Sequence, residues 1–414
     1  MATASTRFRL HEGPVPWTAL AAAVLFCRFP DWFLRPRLWA EDGNVFMLGA
    51  RTQGLGAVFS AYAGYLHLIP RFVAEAGAWL DPALVPALYV CAALLAALAV
   101  VARTFSPRLR LPCRPLLALA IVAVPHTGEV FLCPTNIQWV TSLALVQALL
   151  MRDPAGAGEW ASDLSVVALA GLTGPFSVIL LPLFLVRALE RASLASWGVA
   201  AAVLLAAGAQ AGQMLAHPLV PPPGFPTGPF NFPNLADVMA CRLPLAFLGG
   251  QEWVFRAGRP VVLAAGGVCA AVFACFVLVR DDFRRERVYL VLAGALVCGA
   301  TLSRVRCDLW DYRDMVSGDR YFYMPRVLML WVVALGCPPM PRRAQWGAPA
   351  AAMAGLACLW LMPYREGPAF VVRHVERPFY AWQPYCAGLR AGEAVEVQVS
   401  PGWKFRVPNP SKPW

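Results

Sequence analysis

The sequence predicts an all-α polytopic membrane protein with about 11 transmembrane helices, interfacial helices in the first external loop and a small C-terminal cap containing a β-hairpin. Three observations predict it. Hydrophobic residues make up 59% of the 414 and charged residues only 14%, far from soluble composition. Long apolar runs recur along the chain, separated by short segments rich in arginine. Near the end, Val395, Val397 and Val399, then Trp403, Phe405 and Val407, alternate with polar neighbours around Ser400-Pro401-Gly402, as two short strands joined by a turn would.

In chain order the apolar runs are Pro16 to Phe29, Leu84 to Val101, Leu116 to Val124, Ile137 to Met151, Leu164 to Leu172, Phe176 to Leu189, Trp197 to Ala216, Val261 to Val279, Val288 to Leu302, Tyr321 to Gly336 and Gly347 to Met362. A twelfth candidate, Leu66 to Leu80, carries Arg71 and Glu75 and is broken by Pro70, so a crossing there would be costly. It is placed along the outer interface or against the bundle. With it excluded and the amino terminus inside, the loops holding Arg103, Arg108, Arg110 and Arg114, then Arg187 and Arg191, then Arg280, Arg284, Arg285 and Arg287, then Arg342 and Arg343 all fall on the cytoplasmic side. Arginine, which supplies all but two of the 35 basic residues, thus accounts for the charge of +11 through topology, and nucleic-acid binding is not indicated. Residues 1–363 form the transmembrane domain, with 31–80 as first external loop and 217–260 as a proline-rich external loop that could cover a cavity; 364–414 form the external cap. No cleavable signal follows Arg7 and Arg9, and the twelve cysteines show no Cys-x-x-Cys pair.

The runs Leu116 to Val124 and Leu164 to Leu172 fall well short of the roughly 20 residues that span hydrocarbon. Helices that stop short leave polar backbone at depth, which is tolerated where protein buries it or water fills a cavity. An outward-opening cavity is therefore expected. The polar candidates gather on its side of the membrane: Glu41 and Asp42, His67, Arg71, His126, Glu129, Asn136, Gln138, Trp139, Asp319, Arg320 and Tyr321.

The acidic pair in Trp39-Ala40-Glu41-Asp42-Gly43 is the foremost candidate for chemistry. Its alternative role is a cap: Glu41 could close the amino end of a short helix carrying Val45, Phe46, Leu48 and Ala50, where acidic residues are favoured. His67 and His126 could equally bond backbone at helix ends, Glu129 could pair an external arginine, and Asn136, Gln138 and Trp139 could open a helix. Arg320, with four aspartates near it in sequence, could form a structural ion pair.

One amino-terminal span, an acidic pair in the first external loop, a following interfacial helix and short spans around an external cavity resemble the GT-C superfamily of membrane glycosyltransferases. Trp39-Ala40-Glu41-Asp42-Gly43, Gly64-Tyr65-Leu66-His67-Leu68-Ile69-Pro70-Arg71 and Asn136-x-Gln138-Trp139 resemble motifs of uncharacterised bacterial members. The resemblance implies a bacterial inner-membrane enzyme facing the periplasm or cell exterior. Its donor would be a sugar on polyprenyl phosphate and its acceptor a glycan or lipid hydroxyl, among membrane lipids and without nucleic acid. In an inverting transfer a first-loop carboxylate takes the acceptor's proton; Asp42 is the first choice and Glu41 the alternate. The leaving phosphate calls for arginine or backbone donors, which Arg71 and Arg320 would supply. No cofactor is firmly implied. Some members use a divalent metal, for which Asp308, Asp311 and Asp314, spaced to stack on one helical face, are the candidates. The competing classes are a transporter or flippase for lipid-linked glycans and a glycan polymerase or ligase.

Overall fold

The computed structural model describes residues 13–218, 226, 228–248, 250–337 and 380–408. The chain is mostly helical. Its bundle contains α1 (Pro14–Arg28), α5 (Val85–Arg103), α6 (Arg114–Ala123), α7 (Ile137–Leu150), α8 (Ala157–Gly171), α9 (Phe176–Arg191), α10 (Leu194–Ala216), α13 (Gly250–Leu278), α14 (Arg284–Val305) and α15 (Arg320–Gly336). Ten of the eleven apolar runs thus become helix; Gly347 to Met362 lies outside the described residues. Four segments are long and apolar enough to cross a membrane: Pro82–Arg103, Leu194–Ala216, Trp253–Leu278 and Arg284–Val305. The other bundle helices are shorter, so length and composition support four crossings among the described residues rather than the eleven expected.

The first loop folds as α2 (Pro30–Leu34), a π-helical turn Asp42–Met47 running into α3 (Leu48–Gln53), a 3₁₀ segment Gly54–Phe59 and α4 (Leu68–Gly77). At ten residues, or about 15 Å by helical rise, α4 cannot cross, as its Arg71 and Glu75 foretold. The segment after α10 contains α11 (Phe232–Ala240), a π-helical turn Cys241–Leu245 and α12 (Ala246–Leu248). Arg306 fastens its start by donating to the carbonyls of Pro226, Gly228 and Pro229, and Asn234 Nδ2 donates to those of Asp308 and Trp310. Pro221, Pro222 and Pro223, which suggested a cover, lie outside the described residues.

The short helices end because their chains turn inward, and other residues take up the released backbone groups. Past α6, Arg28 donates to the carbonyls of Val122 at 2.5 Å, Val124 at 3.0 Å and His126 at 3.2 Å. Tyr323 donates to Ile121 O at 2.7 Å and Arg326 to Pro125 O at 2.9 Å. At the break between α8 and α9, Gln210 of α10 accepts from Leu66 N at 2.8 Å and donates to the carbonyls of Leu66, Gly171 and Gly174. Leu68 N also donates to Leu172 O, and Gly174 N to Leu66 O, so the first loop is docked on this break. A buried carbonyl without such a partner would cost on the order of several kcal/mol in lipid.

The two ends of the bundle differ. The first loop, the α6–α7 and α8–α9 breaks, and the α14–α15 connection share one end. Arg342 and Arg343 lie outside the described residues, and the connections holding Arg103 to Arg114, Arg187 to Arg191 and Arg280 to Arg287 share the other end. There, Arg103 and Arg108 converge on buried Asp163, Arg187 and Arg191 on Asp153, and Arg285 meets Glu190. These arginines also serve as cross-links, a role their placement in sequence did not reveal.

The cap consists of α16 (Gln383–Arg390) and the expected hairpin, β1 (Val395–Val399) antiparallel to β2 (Trp403–Val407), with Val397 opposite Phe405. Its inward residues Val397, Val399, Phe405 and Val407 join Trp382 and Leu389 in a core shared with Phe46, Met47 and Tyr89. Trp382 Nε1 donates to Pro82 O at 2.7 Å, and Arg390 clasps Asp81 with two bonds of 2.7 Å. Cap and first loop therefore lie at the same end. A reporter inserted at Gly56 and one fused after Pro408 should register the same compartment, and one at Gly156, between α7 and α8, the opposite one; agreement between Gly56 and Gly156 would overturn this arrangement.

Candidate functional site

A cavity of about 560 Å³ lies at the first-loop end. Its walls are the loop from Glu41 to His67, the amino ends of α7, α9 and α15, and the carboxyl ends of α10 and α14. Seven of the twelve candidates line it: Glu41, His67, Asn136, Gln138, Trp139, Arg320 and Tyr321. They meet because the helices around the α6–α7 and α8–α9 breaks stop short of that end. Gly174, at φ +93° in the second break, faces Gln138 so closely that any Cβ would strike its side chain.

The adjacent acids separate. Asp42 is buried and turned away from the cavity: its Oδ1 accepts from Thr135 N at 2.9 Å and Thr135 Oγ1 at 2.6 Å, and its Oδ2 from Trp39 N at 3.4 Å. Thr135 belongs to the 3₁₀ turn Pro134–Asn136 that starts α7, so Asp42 acts as a cap supplied from 93 residues away. Burial pushes its carboxyl up to about 7, against the Thr135 hydrogen bonds and with help from the Glu41 charge. Glu41, in contrast, lines the cavity and makes no capping bond. Its Oε1 accepts from the Tyr62 hydroxyl at 3.4 Å, while its Oε2 is buried without a hydrogen-bond partner among the described residues. Burial raises its pKa, opposed by its own backbone N–H and by the Arg320 charge. Of the two acids, Asp42 thus has its oxygens committed to Thr135 and Trp39, and Glu41 is the one on the cavity wall.

His67 sits between Tyr62 and Tyr65, with its ring centroid 4.7 Å from that of Tyr65 in a stacked arrangement. Neither ring nitrogen has a hydrogen-bond partner among the described residues. Burial, then the Arg71 charge, lowers its pKa to about 3, so it presents a neutral imidazole with one donor and one acceptor. Trp139 packs edge-on against Phe176 and Tyr321, and Asn136 Nδ2 donates to Glu129 O at 2.9 Å. Arg320 is paired with Glu129, which matches the expectation that Glu129 meets an arginine.

Arg71 does not reach the cavity. Its guanidinium donates to Val45 O and Ser60 O, both at 3.3 Å, and lies over the Phe46 ring, so it braces the first loop instead of offering a phosphate contact. His126 and Asp319 are also elsewhere, in a buried cluster with Arg326. His126 Nδ1 accepts from Gly128 N, which leaves the proton on Nε2, 3.4 Å from Asp319 Oδ2. The other oxygen is 2.7 Å from Arg326, and Thr127 N donates to Oδ2. Burial alone would raise the Asp319 pKa, but Arg326, His126 and the Thr127 bond outweigh it and hold it low.

Asp308, Asp311 and Asp314 are not stacked on a helix. Asp308 is in a 3₁₀ turn and held by Arg306 at 2.9 Å, and Asp314 accepts from Val316 N and Ser317 N. No group of three potential metal ligands gathers among the described residues. The sequence reading missed Tyr62, Tyr65 and Arg304 on the cavity wall. Tyr65 lies in the stretch from Gly64 to Arg71, where nothing in its sequence neighbourhood marks it as a cavity residue.

The Asp42 geometry has a testable pH signature. Because its folded pKa lies above its ordinary value of 3.8, the folded protein holds this proton more tightly than the unfolded chain. Its contribution is fully present below about pH 4 and is lost as pH rises through about 7. Thermal unfolding between pH 4 and 8 should show a stability decline that Asp42→Asn flattens; an unchanged slope would refute the assignment. No protein-family model, no curated protein and no solved structure matches the chain.

Proposed function

We propose that this chain is an inverting glycosyltransferase that moves a sugar from a polyprenyl-phosphate donor to a cell-envelope hydroxyl. It works in the bacterial inner membrane, with the cavity facing the periplasm or exterior. The observation that carries this reading is the Glu41 carboxylate, set in the cavity wall with Oε2 free of any partner among the described residues. A neutral hydroxyl is a poor nucleophile, and a base within hydrogen-bond reach removes its proton as the bond to the anomeric carbon forms. Glu41 takes that proton, the acceptor oxygen attacks from the face opposite the phosphate, and the C–O bond to phosphate breaks with its electron pair leaving on the phosphate. A carboxylate whose pKa is raised by burial is a stronger base than an ordinary one once ionised.

The remaining walls suit a sugar. Tyr62, Tyr65, Trp139 and Tyr321 offer apolar ring faces with polar edges, and His67 and Gln138 offer hydrogen-bonding groups. The volume falls within the range of about 300–1,000 Å³ usual for small-ligand pockets. Asp42 acts through position: its bonds to Thr135 fix the peptide that carries Glu41.

The substitution Glu41→Gln keeps the size and the Tyr62 contact but cannot accept a proton. Transfer measured in membranes should fall by about 10²- to 10⁴-fold, while donor binding persists. Asp42→Asn should cost less transfer than Glu41→Gln and show up mainly in stability. Intact transfer in Glu41→Gln would remove the base and favour a transporter or a glycan ligase.

A further inference from the structure

Arg304, in the last turn of α14, lies on the cavity wall and is exposed. The cavity's other arginine, Arg320, has its charge met by Glu129. Arg304 makes no ion pair or hydrogen bond with the described residues. Both guanidinium charges act on the Tyr65 hydroxyl, which lies beside the Gln138 side chain, and Arg320 also acts on Glu41. The same cavity wall therefore carries one carboxylate, Glu41, and one guanidinium, Arg304, that have no ion pair among the described residues. A bound molecule that satisfies both is neutral and protic near Glu41 and anionic near Arg304.

From this arrangement we infer that Arg304, with Tyr65 and Arg320 beside it, forms an anion subsite for a phosphate-class group, and that Arg304 is its principal cation. The inference deepens the transfer reading and rests on it, since it assigns the leaving phosphate to the α14–α15 side of the cavity. It also supplies what Arg71 cannot, because Arg71 is spent on backbone carbonyls of the first loop. Guanidinium suits the task through its planar fork of donors, which meets two phosphate oxygens at once. Arg320 is less available, since moving toward a ligand would unpair the buried Glu129 carboxylate.

The test uses the full chain in lipid nanodiscs with three probes: polyprenyl phosphate, the uncharged polyprenol of the same length, and inorganic phosphate. Wild type should bind polyprenyl phosphate at least tenfold more tightly than polyprenol. Arg304→Gln should weaken polyprenyl phosphate binding by about ten- to a hundredfold, the loss expected for a charge-assisted contact, and leave polyprenol binding unchanged. Arg304→Lys should recover part of it, whereas Arg280→Gln, an exposed change in the α13–α14 connection at the opposite end, should have no effect. If inorganic phosphate displaces the lipid at similar concentration, the subsite takes a free anion; if only the lipid binds, it takes a headgroup. Either result supports the subsite. Equal affinity of wild type and Arg304→Gln for polyprenyl phosphate, with both folded by thermal unfolding, overturns it. Loss of binding in Arg304→Gln alongside normal transfer in Glu41→Gln would keep the subsite and defeat the proposed base.

Discussion

The constraint on which this structure depends is the need to satisfy backbone groups where helices stop inside an apolar bundle. A helix end frees up to four carbonyls or four N–H groups, and in lipid no water is there to take them. Arg28, Tyr323 and Arg326 meet the carbonyls from Ile121 to His126, and Gln210 gathers those of Leu66, Gly171 and Gly174. The cost of breaking α6 and α8 early is thus offset by long polar side chains from neighbouring helices. What the breaks provide is room: the cavity opens between the shortened helices, and its walls are the segments those side chains hold.

The same economy shapes the first loop, which would otherwise be an irregular excursion of some fifty residues. Arg71 crosses it internally, Leu66 and Leu68 dock on the α8–α9 break, and the cap grips its acidic segment. Ala40 N donates to Ser400 O at 2.6 Å, and the Phe405 ring packs so tightly on Gly43 that a Cβ there would come within 2.8 Å of it. The residues flanking Glu41 and Asp42 are therefore held from one side by the carboxyl-terminal hairpin and from the other by Thr135. Preorganisation of this kind limits the freedom of a carboxylate on the cavity wall without occupying its Oε2.

Much of the architecture was legible because it depends on patterns with a physical period. Ten apolar runs became helices, the described arginine-rich connections, from Arg103 to Arg114, Arg187 to Arg191 and Arg280 to Arg287, gathered at one end, and the alternation of Val395 to Val407 became a hairpin with its predicted inward face. What the sequence could not disclose were contacts across long separations. Nothing near Asp42 in sequence announces Thr135, and nothing near Arg71 announces that Val45 and Ser60 carbonyls will consume it. Arg304 was hidden for a related reason. It looked like one of several arginines in an acidic connection, and only the pairing of Arg306 with Asp308 and of Arg320 with Glu129 leaves it distinct.

That two neighbouring carboxylates take opposite tasks follows from their directions and their surroundings. Both are pulled from water, and burial alone would favour the neutral acid for each. Asp42 gives its oxygens to the start of α7 and carries a pKa near neutrality, so it need not bear a full negative charge beside Glu41. Adjacent ionised carboxylates in a low-dielectric wall repel one another, and the Glu41 charge accordingly helps raise the Asp42 pKa, while Arg320 favours the charged form of Glu41 and Glu129 opposes it. The acidic pair is best understood as a single device, in which one acid anchors the loop to the start of α7 and the other stays at the cavity wall.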